Sequence, residues 1–271
     1  MGTSTHNGGQ KGATPLVPSW LEQPDAIIQS PSDIVGDSDI PPLGAKDRFT
    51  APRGEFTRYI NSGGRNNAQG RKSVSNYIKH SLGGSSNATK RLGAARSSSA
   101  KLLSIVAAYS SGGASAVEQF LSVSNLAHKI AAEAFIAIMD FICPDGGTQD
   151  EGIARSAYIS AIEESPEIAN IPFENLTSEQ IMVVVGKSMA NVIFARITND
   201  IGNKIILLPD DRETSDNLVR QIKDFVKGAI SDSITRLGVE ADTISHTQST
   251  KIVDEIYKTA FEIMVSVGEN E

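Results

Sequence analysis

"LTSEQIMVVVGKSMANVIFARITNDIG", residues 176–202, admits two readings, and the choice between them decides the fold. Its segment "VVVGKS" (183–188) ends like the phosphate-binding loop that joins a strand to a helix. That loop needs a glycine five residues before Gly186, and position 181 is Ile. Thr177 and Gln180 instead have capping-box spacing, in which an N-cap hydroxyl and the side chain three residues on each satisfy a free backbone N–H. The stretch therefore reads as a capped helix, with Lys187 as an ordinary exposed side chain.

Working outward, the same 3.6-residue periodicity recurs. "SAVEQFLSVSNLAHKIAAEAFIAIMDFIC" (115–143) carries Val117, Phe120, Leu121, Ala131, Ala134, Ile138 and Phe141 at helical spacing. Val123, Leu126, Ile130 and Ile136 lie on its other side, so it predicts a long central helix, apolar nearly all round and stopped by Pro144. "SSAKLLSIVAAYSS" (98–111) predicts a shorter helix closed by Gly112 and Gly113. Further helices are expected over 151–164, ending before Pro166, and over 214–237 and 247–267. "NKIILLPDD" (203–211) is the one strand-like stretch, with nothing to pair with. The expected fold class is all-α: a bundle of five or six helices over residues 102–271.

The rest of the chain differs in kind. Residues 1–45 contain Pro15, Pro18, Pro24, Pro31, Pro41 and Pro42 among Gly, Ser and Asp, a composition that predicts a disordered tail. Residues 46–101 alternate short helical patterns with "NSGGRNNAQG" and "SLGGSSN" and read as a semi-ordered connector. Charge follows the same borders. The connector holds twelve Lys/Arg against Asp47 and Glu55, net +10, whereas 102–271 holds twelve basic and twenty-five acidic residues, net −13. A basic middle beside an acidic body fits either an anionic partner or attraction between the two segments.

Catalytic constellations are not expected. The single cysteine, Cys143, rules out an intramolecular disulfide framework, fits a reducing, cytoplasmic setting, and reads as a buried small hydrophobe. The four histidines are scattered without metal-ligand spacing, and His128 falls on the apolar stripe of the expected long helix. Glu163, Glu164 and Glu167 read as a solvated helix end. No signal peptide opens the chain, and apolar runs such as "AFIAIM" are far shorter than a membrane span. The expectation is a protein with no catalytic residues, no metal and no cofactor of its own. Nucleic-acid binding through the connector is an alternative: Arg71, Lys72, Arg91 and Arg96 would meet phosphates, and Tyr59 and Tyr77 would stack on bases.

The tail carries chemistry of another sort. Gly2 follows Met1, so removal of Met1 would expose an unhindered α-amine. Its pKa near 7.7–8.0 leaves roughly a tenth of it neutral at pH 7. His6 stands where N-myristoylation requires Ser or Thr. The apolar knot "PLVPSWL" (15–21) includes the only tryptophan, the residue type most enriched at interface hot spots. Leu16, Val17, Pro18, Trp20 and Leu21 thus read as an anchor, on a partner or folded back on the helical body. Gly2, Thr3 and Ser4 form a tip up to about 60 Å away when extended.

"MGTSTHNGGQKGATPLVPSWL" (1–21) resembles the opening of the QatB family, which begins Met-Gly-Thr-Ser-(Thr/Ala) and reaches a Pro-Leu-(Val/Ile/Leu)-Pro-x-Trp segment. "FTRYINSGG" (56–64), "SVSNYIKHSLGGSS" (73–86) and "TKRLGAAR" (89–96) are similar in character to that family's second region. The resemblance implies a component of a four-gene bacterial anti-phage system. Its companions there are an ATPase (QatA), a QueC-like enzyme (QatC) and a TatD-like nuclease (QatD). It further implies that the QueC-like enzyme activates 7-carboxy-7-deazaguanine with ATP and that the Gly2 amine captures it, leaving a 7-amido-7-deazaguanine cap. A helical scaffold subunit without modification is the remaining alternative.

Overall fold

Helices begin and end where the chain's caps and breakers place them. The computed structural model describes residues 47–143, 147–202 and 212–270, all within one unit. Along the chain lie α1 (Thr50–Asn61), α2 (Asn67–Asn76), α3 (Ser85–Lys90), α4 (Ala94–Leu121), α5 (Ala131–Ala137) and α6 (Met139–Ile142). They are followed by α7 (Gln149–Glu163), α8 (Pro166–Ala169), α9 (Ser178–Ile201), α10 (Arg212–Arg236) and α11 (Ser249–Glu269). A π-helical turn, Tyr77–Ser81, extends α2. Among the described residues there is no strand, only an isolated bridge between Ile130 and Pro172. The fold is all-α. The residues of the disordered-tail reading and of "NKIILLPDD" lie outside the described residues.

The capping box of 176–202 is formed: Gln180 N donates to Thr177 Oγ1 at 3.2 Å, and Thr177 N donates to Gln180 Oε1 at 2.9 Å. The helix it starts, α9, packs against α4, α7 and α10. A second hub, α11, packs against α2, α3, α4 and α10. By length and composition α9 is apolar enough to cross a membrane, yet 61% of that stretch is buried inside the fold. Ile181, Val184, Val185, Met189 and Ile193 are among its core residues.

All five tyrosines are buried, and each hydroxyl ties its helix to a distant element. Tyr59 of α1 donates to Gln221 of α10 at 2.8 Å, and Tyr77 to Asp200 of α9 at 2.5 Å. Tyr109 of α4 reaches the carbonyls of Phe173 and Leu176, both at 2.8 Å. Tyr158 of α7 donates to the Phe135 carbonyl of α5, and the Tyr257 hydroxyl of α11 meets Ser99 of α4. A buried phenol needs such a partner, so these contacts fix relative helix positions rather than merely filling space.

Two expectations require correction. The central helix over 115–143 does not exist as one element. The chain leaves α4 at Ser122 (φ 55°) and turns again at Asn125 (φ 65°). The Glu118 carboxylate closes the turn by accepting from Leu126 N at 2.6 Å and Ala127 N at 3.1 Å. "SVSN" strings together four weak helix formers, and that local preference outweighs the apolar periodicity around it. His128 is consequently exposed in the loop instead of lying in the core. The predicted stop at Gly112–Gly113 is instead a kink within α4: Gly113 adopts φ 65°, ψ −153°, a conformation open to glycine alone.

The connector reading of 46–101 differs from the structure too. Residues 50–101 form α1 to α3 and the start of α4, and they place Phe56, Tyr59, Val74, Tyr77, Ile78 and Leu82 in the core. Of the glycines read as loop signals, Gly63, Gly64, Gly83 and Gly84 make the turns between short packed helices, whereas Gly70 is buried within α2. The closest packing of this region is at Gly268 of α11, where an added Cβ would lie 2.6 Å from the Arg71 carbonyl oxygen and 2.7 Å from Ser75 Cβ of α2. Gly268→Ala should therefore destabilise the protein by about 1–3 kcal/mol by forcing α2 and α11 apart. Denaturant unfolding checks this, and unchanged or raised stability would show that the two helices are free to separate.

Candidate functional site

α9 and α10 run side by side, the first half of α9 against the second half of α10, and leave a groove of about 560 Å³ between them. Met182, Val183, Ile230, Ile234 and Val239 give it an apolar lining. Val183 is 47% exposed, an uncommon state for a valine on the most buried helix of a fold. The 3₁₀ turn Ala241–Thr243 closes one end. It is held beside the start of α9 by Ser110, whose hydroxyl lies 2.9 Å from Ser178 Oγ and donates to the Ala241 carbonyl at 3.1 Å. That end carries Glu179, Glu240 and Asp242. Glu179 sits in the first turn of α9, where hydrogen bonding to its own backbone N–H and to Thr177 holds its carboxyl below the ordinary range.

The other end of the groove is cationic and tied to the end of α7. Lys187 donates to the Glu164 carbonyl at 2.6 Å, to Ser165 Oγ at 2.9 Å and to Glu167 Oε1 at 2.9 Å. Glu164 accepts from Lys223 on one oxygen and pairs with Lys227 on the other at 2.9 Å. Burial on its own raises the Glu164 carboxyl, but hydrogen bonds and charge from Lys223 and Lys227 outweigh it and hold the carboxyl below the ordinary range. Glu164 is therefore the joint of α7, α9 and α10 and not part of a solvated face, and Lys187 is half-buried in the same joint instead of exposed. Periodicity reports which face of a helix is apolar but says nothing about which long side chains meet across helices, so this cluster left no trace in the sequence.

The predicted basic residues do not converge on one site. Arg71 places its guanidinium over the Phe225 ring, 5.7 Å from the centroid, and Lys72 is exposed. Arg96 pairs with Asp254 at 2.7 Å. Arg91 is half-buried, its guanidinium driven toward the neutral form by burial and then by Arg48, while its carbonyl accepts from Arg196 at 2.7 Å. Along α11, Gly268 (against Arg71) and Asp254 (against Arg96) are fourteen residues apart, about 21 Å of helix. Tyr59 and Tyr77 are each 1% exposed, and burial pushes the Tyr59 hydroxyl up to about 12. Of the two explanations for the basic middle, attraction to the acidic body is visible in the pairs Arg96–Asp254 and Lys79–Glu269.

Cys143 is buried, and burial raises its thiol, as a structural small hydrophobe requires. Among the described residues no three His, Cys, Asp or Glu side chains are grouped to hold a metal. Gly2, Thr3, Ser4, Leu16, Val17, Pro18, Trp20 and Leu21 lie outside the described residues. A further surface feature joins Phe120, Phe141 and His246: the two phenyl rings meet edge-on at 5.9 Å, and His246 stacks on Phe120 at 4.6 Å. Only the break after α4 brings these three together.

Comparison with family models finds one described as QatB, Qat anti-phage system associated protein QatB, matching residues 83–264. The match runs from just after the π-helical turn through most of α11, so it covers most of the helical body and none of the tail, residues 1–21, that resembles the family's opening. Neither the curated proteins nor the solved structures give a match.

The Glu164 joint makes stability depend on acid. A carboxyl depressed in the folded state binds its proton less readily there than in the unfolded chain. Its stabilisation is thus complete above the unfolded value, about 4.3, and is lost as pH falls through the lower folded value. Glu164→Gln is expected to cost about 1–3 kcal/mol at pH 7, with the difference from the unsubstituted protein shrinking below about pH 4. Urea unfolding at pH 7 and at pH 3.5 measures it; an equal difference at both would contradict this role.

Proposed function

The chain belongs to the QatB family and is thus a component of the Qat anti-phage system, and on that premise we propose that it acts as protein substrate and adaptor instead of catalyst. Its Gly2 α-amine receives a 7-deazaguanine group from a QueC-like partner. The observation that carries this reading is the sequence "MGTS" with its unhindered glycine amine, followed by the apolar knot "PLVPSWL". Gly2 lies outside the residues matched by the family model, so its role rests on the resemblance of residues 1–21 to the family's opening and on the chemistry of a glycine amine.

The chemistry is acyl transfer. ATP converts the carboxylate of 7-carboxy-7-deazaguanine into an acyl adenylate with loss of pyrophosphate. The neutral fraction of the Gly2 amine attacks the acyl carbon, AMP leaves with the electron pair of the broken C–O bond, and the amine gives up a proton as the amide forms. A glycine amine suits this step because no side chain obstructs the approach. Its neutral fraction at pH 7 is also far larger than that of an ordinary lysine. The product is a secondary amide with a single N–H. It cannot lose water to become a nitrile, so the cap stays on the protein.

Leu16, Val17, Pro18, Trp20 and Leu21 serve as the anchor that holds the tip at the partner's site, with Thr3 and Ser4 completing the presented end. QatA and QatD are the further companions expected around the helical body. The nucleic-acid alternative loses its stacking groups, since Tyr59 and Tyr77 are core residues.

Intact-mass spectrometry of the chain expressed with its neighbours tests the proposal. Loss of Met1 together with one added deazaguanine acyl group on the N-terminal peptide is expected. Gly2→Glu, which retains Met1, should lack the adduct. Loss of Met1 with no adduct, or an adduct that survives Gly2→Glu, would overturn it.

A further inference from the structure

Three features of the α9–α10 groove point beyond the tail chemistry. Its apolar lining is open to solvent at Val183. Its charges are polarised along its length. Glu179, Glu240 and Asp242 stand at one end, while Lys187, Lys223 and Lys227 share the carboxylates of Glu164 and Glu167 at the other. Of these groups only Lys187 and Lys227 line the groove, so its lining carries ammonium groups at that end and carboxylates at the other.

Gly186 supplies the third feature. It lies in the middle of α9, where glycine is the least favourable residue after proline. A Cβ there would make only ordinary contacts, 3.6 Å from Ile234 Cδ1 and 4.0 Å from Ile230 Cγ2. Packing within the chain does not require a glycine at this position, whereas a deep groove does.

We propose that this groove receives an amphipathic helical segment of a partner protein, with its N-terminal turn, carrying Lys or Arg, against Glu179, Glu240 and Asp242. Its C-terminal turn lies at Lys187 and Lys227. From Glu179 to Lys187 is eight residues, about 12 Å of helix, so the groove grips about two turns. The docked helix presents apolar side chains at i, i+3, i+4 and i+7 to Val183, Ile230 and Ile234, and the space above Gly186 admits the largest of them. The dipole of the docked helix reinforces the orientation, since its positive N-terminal end meets the carboxylates and its negative end the ammonium groups. This inference is independent of the Gly2 chemistry.

Two measurements on the full chain test it. The first uses a fluorescein-labelled peptide of about sixteen residues, long enough to hold helical structure. It has leucines at i, i+3, i+4 and i+7, arginines in its first turn and glutamates in its last. It should bind at least ten-fold more tightly than the charge-reversed peptide. The double variant Glu179→Lys, Asp242→Lys should reverse that preference. Gly186→Leu should keep or raise the thermal midpoint while weakening binding at least ten-fold, which separates blocking the groove from unfolding. Equal binding of the two peptides, no binding of either, or unweakened binding by the folded Gly186→Leu chain would overturn the proposal.

The second places a benzophenone at the groove through Val183→Cys, with Cys143 buried and thus spared from labelling. Irradiated in cells expressing the neighbouring components, it should cross-link to an amphipathic helical segment of a different protein with Lys or Arg in its first turn. Cross-linking to a second copy, to residues 1–46 or 203–211 of the same chain, or to a segment without that charge order would also overturn it.

Discussion

The structure depends on burying α9. A helix of twenty-four residues with an apolar majority cannot face water, and α4, α7 and α10 enclose most of it. Each fully buried Val, Ile or Met contributes roughly 1.5–3 kcal/mol, whereas a surface ion pair contributes about 0–1. The core of α9 therefore outweighs the ion pairs around it, and the polar groups set register more than stability. The part of α9 left uncovered, at Val183 and Gly186, is the floor of the groove. The helix that organises the fold is the one that leaves a surface for another protein.

Polar contacts supply what apolar burial lacks, which is specificity of position. The five tyrosine hydroxyls, the Glu164 joint and the Thr177–Gln180 cap each pair atoms whose geometry tolerates little displacement. The charge asymmetry of the chain is absorbed in the same way. Lys79 and Arg96, from the basic middle, pair with Glu269 and Asp254 of the acidic α11. A charge imbalance that suggests a nucleic-acid partner when read along the sequence is in part an intramolecular attraction.

Most of the helices were legible because their signals are local. Thr177, Gln180 and Pro166 act on their immediate neighbours, and each is visible in a short window. The long helix over 115–143 misled because apolar periodicity on both sides of "SVSN" hid four weak helix formers and the Glu118 carboxylate that closes their turn. Residues 46–101 misled for the opposite reason. Short helices separated by glycines bury little on their own and look like loops until α11 supplies the surface they pack on. The groove and the Glu164 joint were not legible at all, since the groove arises where α9 meets α10 and the joint where both meet the end of α7, between residues 20 to 59 apart in such pairs as Lys187–Glu167 and Lys223–Glu164.

In the proposed reading the helical body and the tail divide the work: the body is to hold partners in place, and the tail is to present a reactive amine. The most direct measurement is phage plating on cells that carry the complete set of Qat genes with residues 2–21 of this chain deleted. The account predicts that the body folds and accumulates normally while protection is lost. Protection equal to that of the intact chain would contradict it and leave a helical scaffold whose tail has no part in defence.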